Sequence, residues 1–127
     1  MSKRYCPVDM NEPCPIRAIL DRIGDRWSML IFWSLANGSL RFTELKRKID
    51  DISQRMLAKT LRRLEQDGFV LRTVTPTVPP RVDYELTELG RSFLSPLGAL
   101  VDWAEENHKA INAARSAYVA PQTSWVA

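Results

Sequence analysis

Between Ser53 and Asp67 the chain carries two stripes that need different surroundings. Leu57, Leu61 and Leu64 recur at i, i+4 and i+7 and make a narrow apolar seam. Arg55, Lys59, Arg62 and Gln66 recur on the opposite side. A helix patterned this way lies on a core with its basic face outward. Ser53 predicts its N-cap and Gly68 its stop. Just ahead, Phe42, Leu45 and Ile49 mark a shorter helix, Phe42–Ile49, with Thr43, Glu44, Lys46, Arg47 and Lys48 on its wet side. Asp50-Asp51-Ile52 is a tight connection between the two. Short helix, brief turn and longer helix with a basic outer face form the pattern of a helix-turn-helix.

The flanks extend this pattern. Upstream, Pro15 suits a first helical position because its missing N–H would be unpaired there. Ile16, Ile19, Leu20 and Ile23 follow at helical spacing, which predicts a helix over Cys14–Ile23. Asp25 predicts the cap of a second helix, Arg26–Ala36, apolar on several faces and therefore central. Downstream, Val70–Thr75 and Arg81–Leu86 are rich in Val, Thr and Tyr and enclose Pro76, Pro79 and Pro80. Prolines cannot donate to a sheet ladder, so a β-hairpin over Val70–Leu86 with a Pro-rich tip is expected. After Thr87, a capping residue, Leu89, Phe93, Leu97, Leu100, Ala104 and Ile111 form a helical stripe that Pro96 and Gly98 should kink or interrupt. The fold class predicted is mainly α with a small β-hairpin: a helix-turn-helix followed by a wing. Residues 1–13 are expected to be a flexible arm, 14–112 the folded domain and 113–127 a loosely ordered tail.

Charge separates the function classes. The 127 residues carry a net charge of only +3, but Arg41 to Arg81 holds ten Lys/Arg against five Asp/Glu. A basic middle third suits a polyanion, because neutralised phosphates release their counterions; a solvated basic face is the alternative. The only histidine, His108, is remote from the two cysteines, Cys6 and Cys14. No catalytic triad, metal-ligand spacing or glycine-rich phosphate loop can be assembled, so no catalytic residue, metal or cofactor is expected. The longest apolar-rich stretch, Trp27–Leu35, is too short for a bilayer, and no secretory signal opens the chain, so a cytoplasmic protein without a membrane partner is expected.

These segments, in this order, resemble one family. Asp25-Arg26-Trp27, Arg41-Phe42-Thr43-Glu44-Leu45, Ile52-Ser53-Gln54-Arg55-Met56-Leu57, Leu61 to Gly68, Pro79-Pro80-Arg81-Val82-Asp83-Tyr84 and Leu86-Thr87-Glu88-Leu89-Gly90 resemble the HxlR-type bacterial transcriptional regulators. The resemblance runs from about residue 14 to 107. It implies a winged helix-turn-helix regulator that binds double-stranded DNA as a homodimer on a palindromic operator, with N- and C-terminal helices making the dimer interface. It also implies a signal from an electrophile, oxidant or small-molecule effector, received in many members by a cysteine just ahead of the first helix. Cys14 stands at that place; Cys6 lies further upstream. A winged-helix module for protein–protein contact, without DNA binding, is the rival class.

Candidate residues follow from both readings. Ser53, Gln54 and Arg55 open the recognition helix, where Gln and Arg can pair bidentately with adenine and guanine edges. Ala58 could meet a thymine methyl and Lys59 a phosphate. Arg41, Thr43, Lys46 and Arg62, and Arg72 and Arg81 at the wing, are candidate phosphate contacts, each with a solvated charge as its alternative. Arg63 is expected to pair with Asp67 at i+4. Ile16, Ile19, Leu20, Leu97, Leu100, Ala104 and Ile111 are candidates for the dimer interface. A position at a helix N-terminus, with Arg17 one turn on, favours a thiolate at Cys14; an inert interfacial cysteine is the competing reading. Trp27, Phe32, Trp33, Phe93 and Trp103 make either core or the lining of a ligand cavity.

Overall fold

The computed structural model of the chain describes residues 15–121. Six helices and three short strands follow one another as α1 (Pro15–Ile23), α2 (Arg26–Ser34), β1 (Leu40–Arg41), α3 (Phe42–Lys48), α4 (Gln54–Gln66), β2 (Val70–Thr75), β3 (Arg81–Leu86), α5 (Glu88–Ser92) and α6 (Leu94–Ala117). The chain divides after Ser95 into two compact units. Among the described residues no helix is long and apolar enough to cross a membrane.

The caps named from sequence are formed. Asp25 accepts the Ser28 N–H at 3.4 Å, Ser53 the Met56 N–H at 3.0 Å, and Thr87 the Gly90 N–H at 3.1 Å. Each side-chain oxygen satisfies a donor that the first helical turn leaves without a partner. Gly68, which follows α4, adopts φ +83°, the left-handed conformation that glycine enters without penalty.

The core of the first unit is the expected one. Leu57, Leu61 and Leu64 of α4 are buried together with Ile31, Phe32 and Leu35 of the α2 segment and Leu45 of α3. Phe32 stands edge-on to Phe69 at 5.5 Å between ring centroids and tilted against Phe93 at 4.9 Å. Phe32 is therefore core, and the half-buried Phe93 packs on it.

The sheet has three strands rather than a hairpin alone. Its order is β1-β3-β2, all antiparallel. β2 and β3 pair from Val70↔Leu86 to Thr75↔Arg81, and β1 adds Leu40↔Tyr84 and Arg41↔Asp83. Two residues are too few for a period-2 pattern, so β1 leaves no sequence signature.

The C-terminal helix corrects two expectations. Neither Pro96 nor Gly98 interrupts it; the break falls at Phe93, and α6 is helical from Leu94 to Ala117. Pro96 is the third residue of α6, within the first turn, where its missing N–H removes no helical bond. The helix also passes residue 113, where the loose tail was expected to begin. Three alanines between Ala113 and Ala117 favour its continuation.

Candidate nucleic-acid interface

The outward face of α4 is where the sequence placed it. Gln54, Arg55, Lys59 and Arg62 are all exposed, while Leu57, Leu61 and Leu64 are fully buried on the other side. Ser53, exposed at the N-cap, and the free N–H groups of the first turn point the positive end of a 13-residue helix outward. Gln54 and Arg55 thus combine side-chain donors with a helix terminus that attracts anions. Ala58 is half-buried and offers little more than a methyl edge.

Met56 was missed. The residue is 37% exposed in the same first turn as Arg55. The signal was present in the sequence, because Met56 falls outside the Leu57–Leu61–Leu64 seam and so has no core position to fill.

The supporting cations differ in how free they are. Arg41 and Thr43 are exposed where β1 passes into α3, and the Glu44 carboxylate accepts the Arg41 N–H at 2.8 Å, which fixes that entry. Lys46 donates from Nζ to the Asp50 carbonyl at 2.9 Å. It therefore braces the turn of the helix-turn-helix, a role the sequence did not suggest. Arg26 lies with its guanidinium 4.1 Å from the Trp27 ring centroid and 3.9 Å from Asp51.

At the wing, Arg72 is exposed on β2 and Arg81 on β3. Arg81 Nε is 3.0 Å from Asp83 Oδ2 on its own strand. The tip between them is stiff: the Thr77 N–H donates to the Thr75 carbonyl at 2.8 Å and the Thr77 hydroxyl to the Pro79 carbonyl at 2.7 Å. Val78 at its end is fully exposed.

Arg63 does not pair with Asp67. It reaches Asp25 Oδ1 at 3.3 Å and Ser28 Oγ at 3.5 Å, and Asp67 is held instead by Arg22. The i+4 neighbour loses to partners on other helices because Asp67 is the C-cap of α4, turned toward α1, whereas Arg63 faces α2.

The candidates for a second interface separate in the same way. Ile16 (49%), Ile19 (44%) and Leu20 (52%) of α1 are exposed, as are Leu100, Ala104 and Ile111 of α6. Leu97 is buried in the chain itself, at 4% exposure, and leaves this set. Cys6 and Cys14 fall outside the described residues. Of the aromatic residues considered for a cavity, Trp33 lines an open hollow of about 460 Å³ with Leu30, Asn37, Lys48 and Asp51, and Trp103 is exposed.

The chain matches the HxlR-like helix-turn-helix family over residues 22–112. It is 45% identical over 104 residues to YtfH of Escherichia coli (strain K12), an uncharacterized HTH-type transcriptional regulator, with 82% of each chain covered. Its fold is similar to that of the redox regulator HypR in its oxidized form, with a TM-score of 0.71 and 42% identity over 74% of this chain and 97% of that one. It is also similar to diamide-treated YodB from B. subtilis, with a TM-score of 0.63 and 38% identity over 75% of this chain and 94% of that one. A match over most of the chain thus joins an outward basic helix and a wing, and the chain belongs to the HxlR-like helix-turn-helix family and is a DNA-binding transcriptional regulator.

Proposed function

We propose that the protein acts in the cytoplasm as a homodimer that reads a palindromic operator, with the first turn of α4 in the major groove and the wing along the flanking duplex. The observation that carries this reading is the division of α4. Gln54, Arg55, Lys59 and Arg62 are exposed as a block, and among the described residues no side-chain hydrogen bond or ion pair engages Gln54 or Arg55. Gln54 and Arg55 read base edges, with Ala58 and Met56 against thymine methyls. Arg41, Thr43, Lys59, Arg62, Arg72 and Arg81 hold phosphates, and Ser53 caps.

Support for the dimer comes from apolar faces that stay exposed among the described residues. Ile16, Ile19 and Leu20 on α1, and Leu100, Ala104 and Ile111 on α6, meet the same residues of a second copy in an isologous contact. Two recognition helices about 34–36 Å apart then match half-sites one turn apart on one face of the duplex. Palindromic duplexes selected from random DNA, titrated in gel shifts beside sedimentation of the free protein, test this. A monomer that binds one half-site with full affinity would overturn it.

In the same reading the signal is a thiol modification. Cys14 is the sensing residue, with Cys6 as its resolving partner, and an electrophile, an oxidant or a small ligand is the effector. Support comes from the similarity to HypR, a redox regulator, and to YodB, whose structure was obtained after diamide treatment. Gel shifts before and after diamide treatment, in the wild type and in Cys14→Ser, decide it. Undiminished binding after complete modification of Cys14 removes the thiol from the mechanism.

A further inference from the structure

We propose that Arg22 and Asp67 are positioning residues for DNA recognition: their ion pair ties the end of α1 to the end of α4, so that α1 sets the angle of the recognition helix. The proposal rests on the reading above, in which α1 meets a second copy and α4 meets DNA.

The geometry is a fork. Arg22 Nε is 2.6 Å from Asp67 Oδ2 and Arg22 Nη2 is 2.9 Å from Asp67 Oδ1. Two parallel charge-assisted bonds fix orientation as well as distance, unlike a single contact between flexible side chains. Most exposed ion pairs add little, but bidentate arginine–carboxylate geometry is the exception. The hydrogen bond to Asp67 also raises the Arg22 guanidinium above its ordinary value.

The placement of Asp67 is informative. It is the C-cap of α4. A carboxylate at a helix C-terminus faces the negative end of the helix dipole and opposes that helix's own stability. Its partner on α1, 45 residues away in the chain, supplies the compensating charge. Arg22 lies in the last turn of α1, where a cation is favoured.

A second pair makes the first a lever. Arg63, one turn before Asp67 on α4, is bound to Asp25, the N-cap of α2. The joint between α1 and α2 is Gly24, where a Cβ would stand 2.4 Å from the Leu20 carbonyl oxygen. Both sides of that joint are therefore anchored to α4, one by Arg22 and the other by Asp25. A tilt of α1 about Gly24 moves Arg22 while Asp25 holds, and the C-terminal end of α4 follows Asp67.

The test uses half-site spacing, which only helix orientation can read. Wild type, Asp67→Asn, Arg22→Lys and the swapped pair Arg22→Asp/Asp67→Arg are titrated against a palindromic duplex selected by the wild type, and against the same duplex with one base pair inserted between half-sites. Circular dichroism and sedimentation report folding and assembly. The expected result is that Asp67→Asn and Arg22→Lys stay folded and dimeric, lose about tenfold on the selected duplex and lose most of their preference between spacings. The swapped pair recovers the preference. Folded, dimeric single variants with wild-type spacing preference would overturn the proposal. Should Asp67→Asn fail to fold, Arg22→Lys, which keeps the charge and removes the fork, decides alone. A wild type that shows no spacing preference at all overturns the functional reading and this inference together.

Discussion

Gly90, in α5, lies against the carbonyl oxygen of Phe69, so closely that a Cβ there would come within 2.3 Å of it. The same corner holds Thr87, whose N–H donates to that carbonyl at 3.0 Å and whose hydroxyl donates to the Gly68 carbonyl at 2.6 Å. The Leu86-Thr87-Glu88-Leu89-Gly90 stretch is thus a device for seating the helix after the wing upon the segment before it. Gly90→Ala sets two effects against each other. Alanine gains up to about 1 kcal/mol of helix propensity. Overpacking costs about 1–3 kcal/mol, and here the obstacle is backbone, which cannot swing aside. A net loss of stability is expected, seen as a lower urea midpoint with unchanged slope. A midpoint equal to or above that of the wild type would mean that the corner yields.

Arg55 offers the sharpest test of readout. It is exposed in the first turn of α4 and takes part in no ion pair among the described residues. Arg55→Ala should weaken binding to the selected operator by about 1–3 kcal/mol, with a smaller effect on random duplex. Equal losses on both sequences would make Arg55 a phosphate contact. An unchanged dissociation constant would remove it from the interface.

Lys59 and Arg81 should not behave alike, although the charge pattern treats them as equivalent. Lys59 has an exposed ammonium on the recognition helix, whereas Arg81 is already 3.0 Å from Asp83. Loss of a phosphate-contacting Lys59 should lower the slope of log affinity against log salt by about one unit. Arg81→Ala should lower it less, because part of its charge is neutralised before DNA arrives. Asp83→Asn should strengthen binding to all sequences. Equal slopes for the two arginine and lysine variants would show that the Arg81–Asp83 pair opens fully on the duplex.

Most of the frame was legible because it rests on periodicity and caps. The Leu57–Leu61–Leu64 seam, the Ser53 and Asp25 caps and the prolines between β2 and β3 are local signals, and each led to the right element. What escaped was set by tertiary choice. β1 is too short to carry a pattern and exists because β3 has an open edge at Asp83 and Tyr84. Arg63 and Asp67 stand at i and i+4, yet both find partners on other helices, which no spacing rule within α4 can foresee. Leu97 and Leu100 look alike in sequence, yet one is 4% exposed and the other 45%. Within the site, the position of each cation was legible, but whether a neighbour already occupies it was not, as Lys46 and Arg81 show.

The apolar face of α1 gives the last prediction. Ile16, Ile19 and Leu20 lie on a nine-residue helix that, among the described residues, buries only Ile23 and leaves about half of each of these three exposed. Full burial of one such side chain contributes about 1.5–3 kcal/mol, so leaving three of them half covered forgoes a few kcal/mol, a sizeable part of a small domain's net stability. In the proposed dimer a second copy would recover it twice, once on each side of a two-fold axis. Ile19→Asp places a charge at the centre of that face. In the monomer the aspartate is solvated and the fold is kept, because Ile19 is not core. In the dimer two aspartates are desolvated without partners, which is strongly unfavourable. The expected outcome is a folded monomer in sedimentation at micromolar concentration. Its affinity for a single half-site should be retained, and its affinity for the full palindrome should fall toward that half-site value, since the gain from linking two sites is lost. A variant that remains dimeric with full palindrome affinity would show that α1 lies outside the contact.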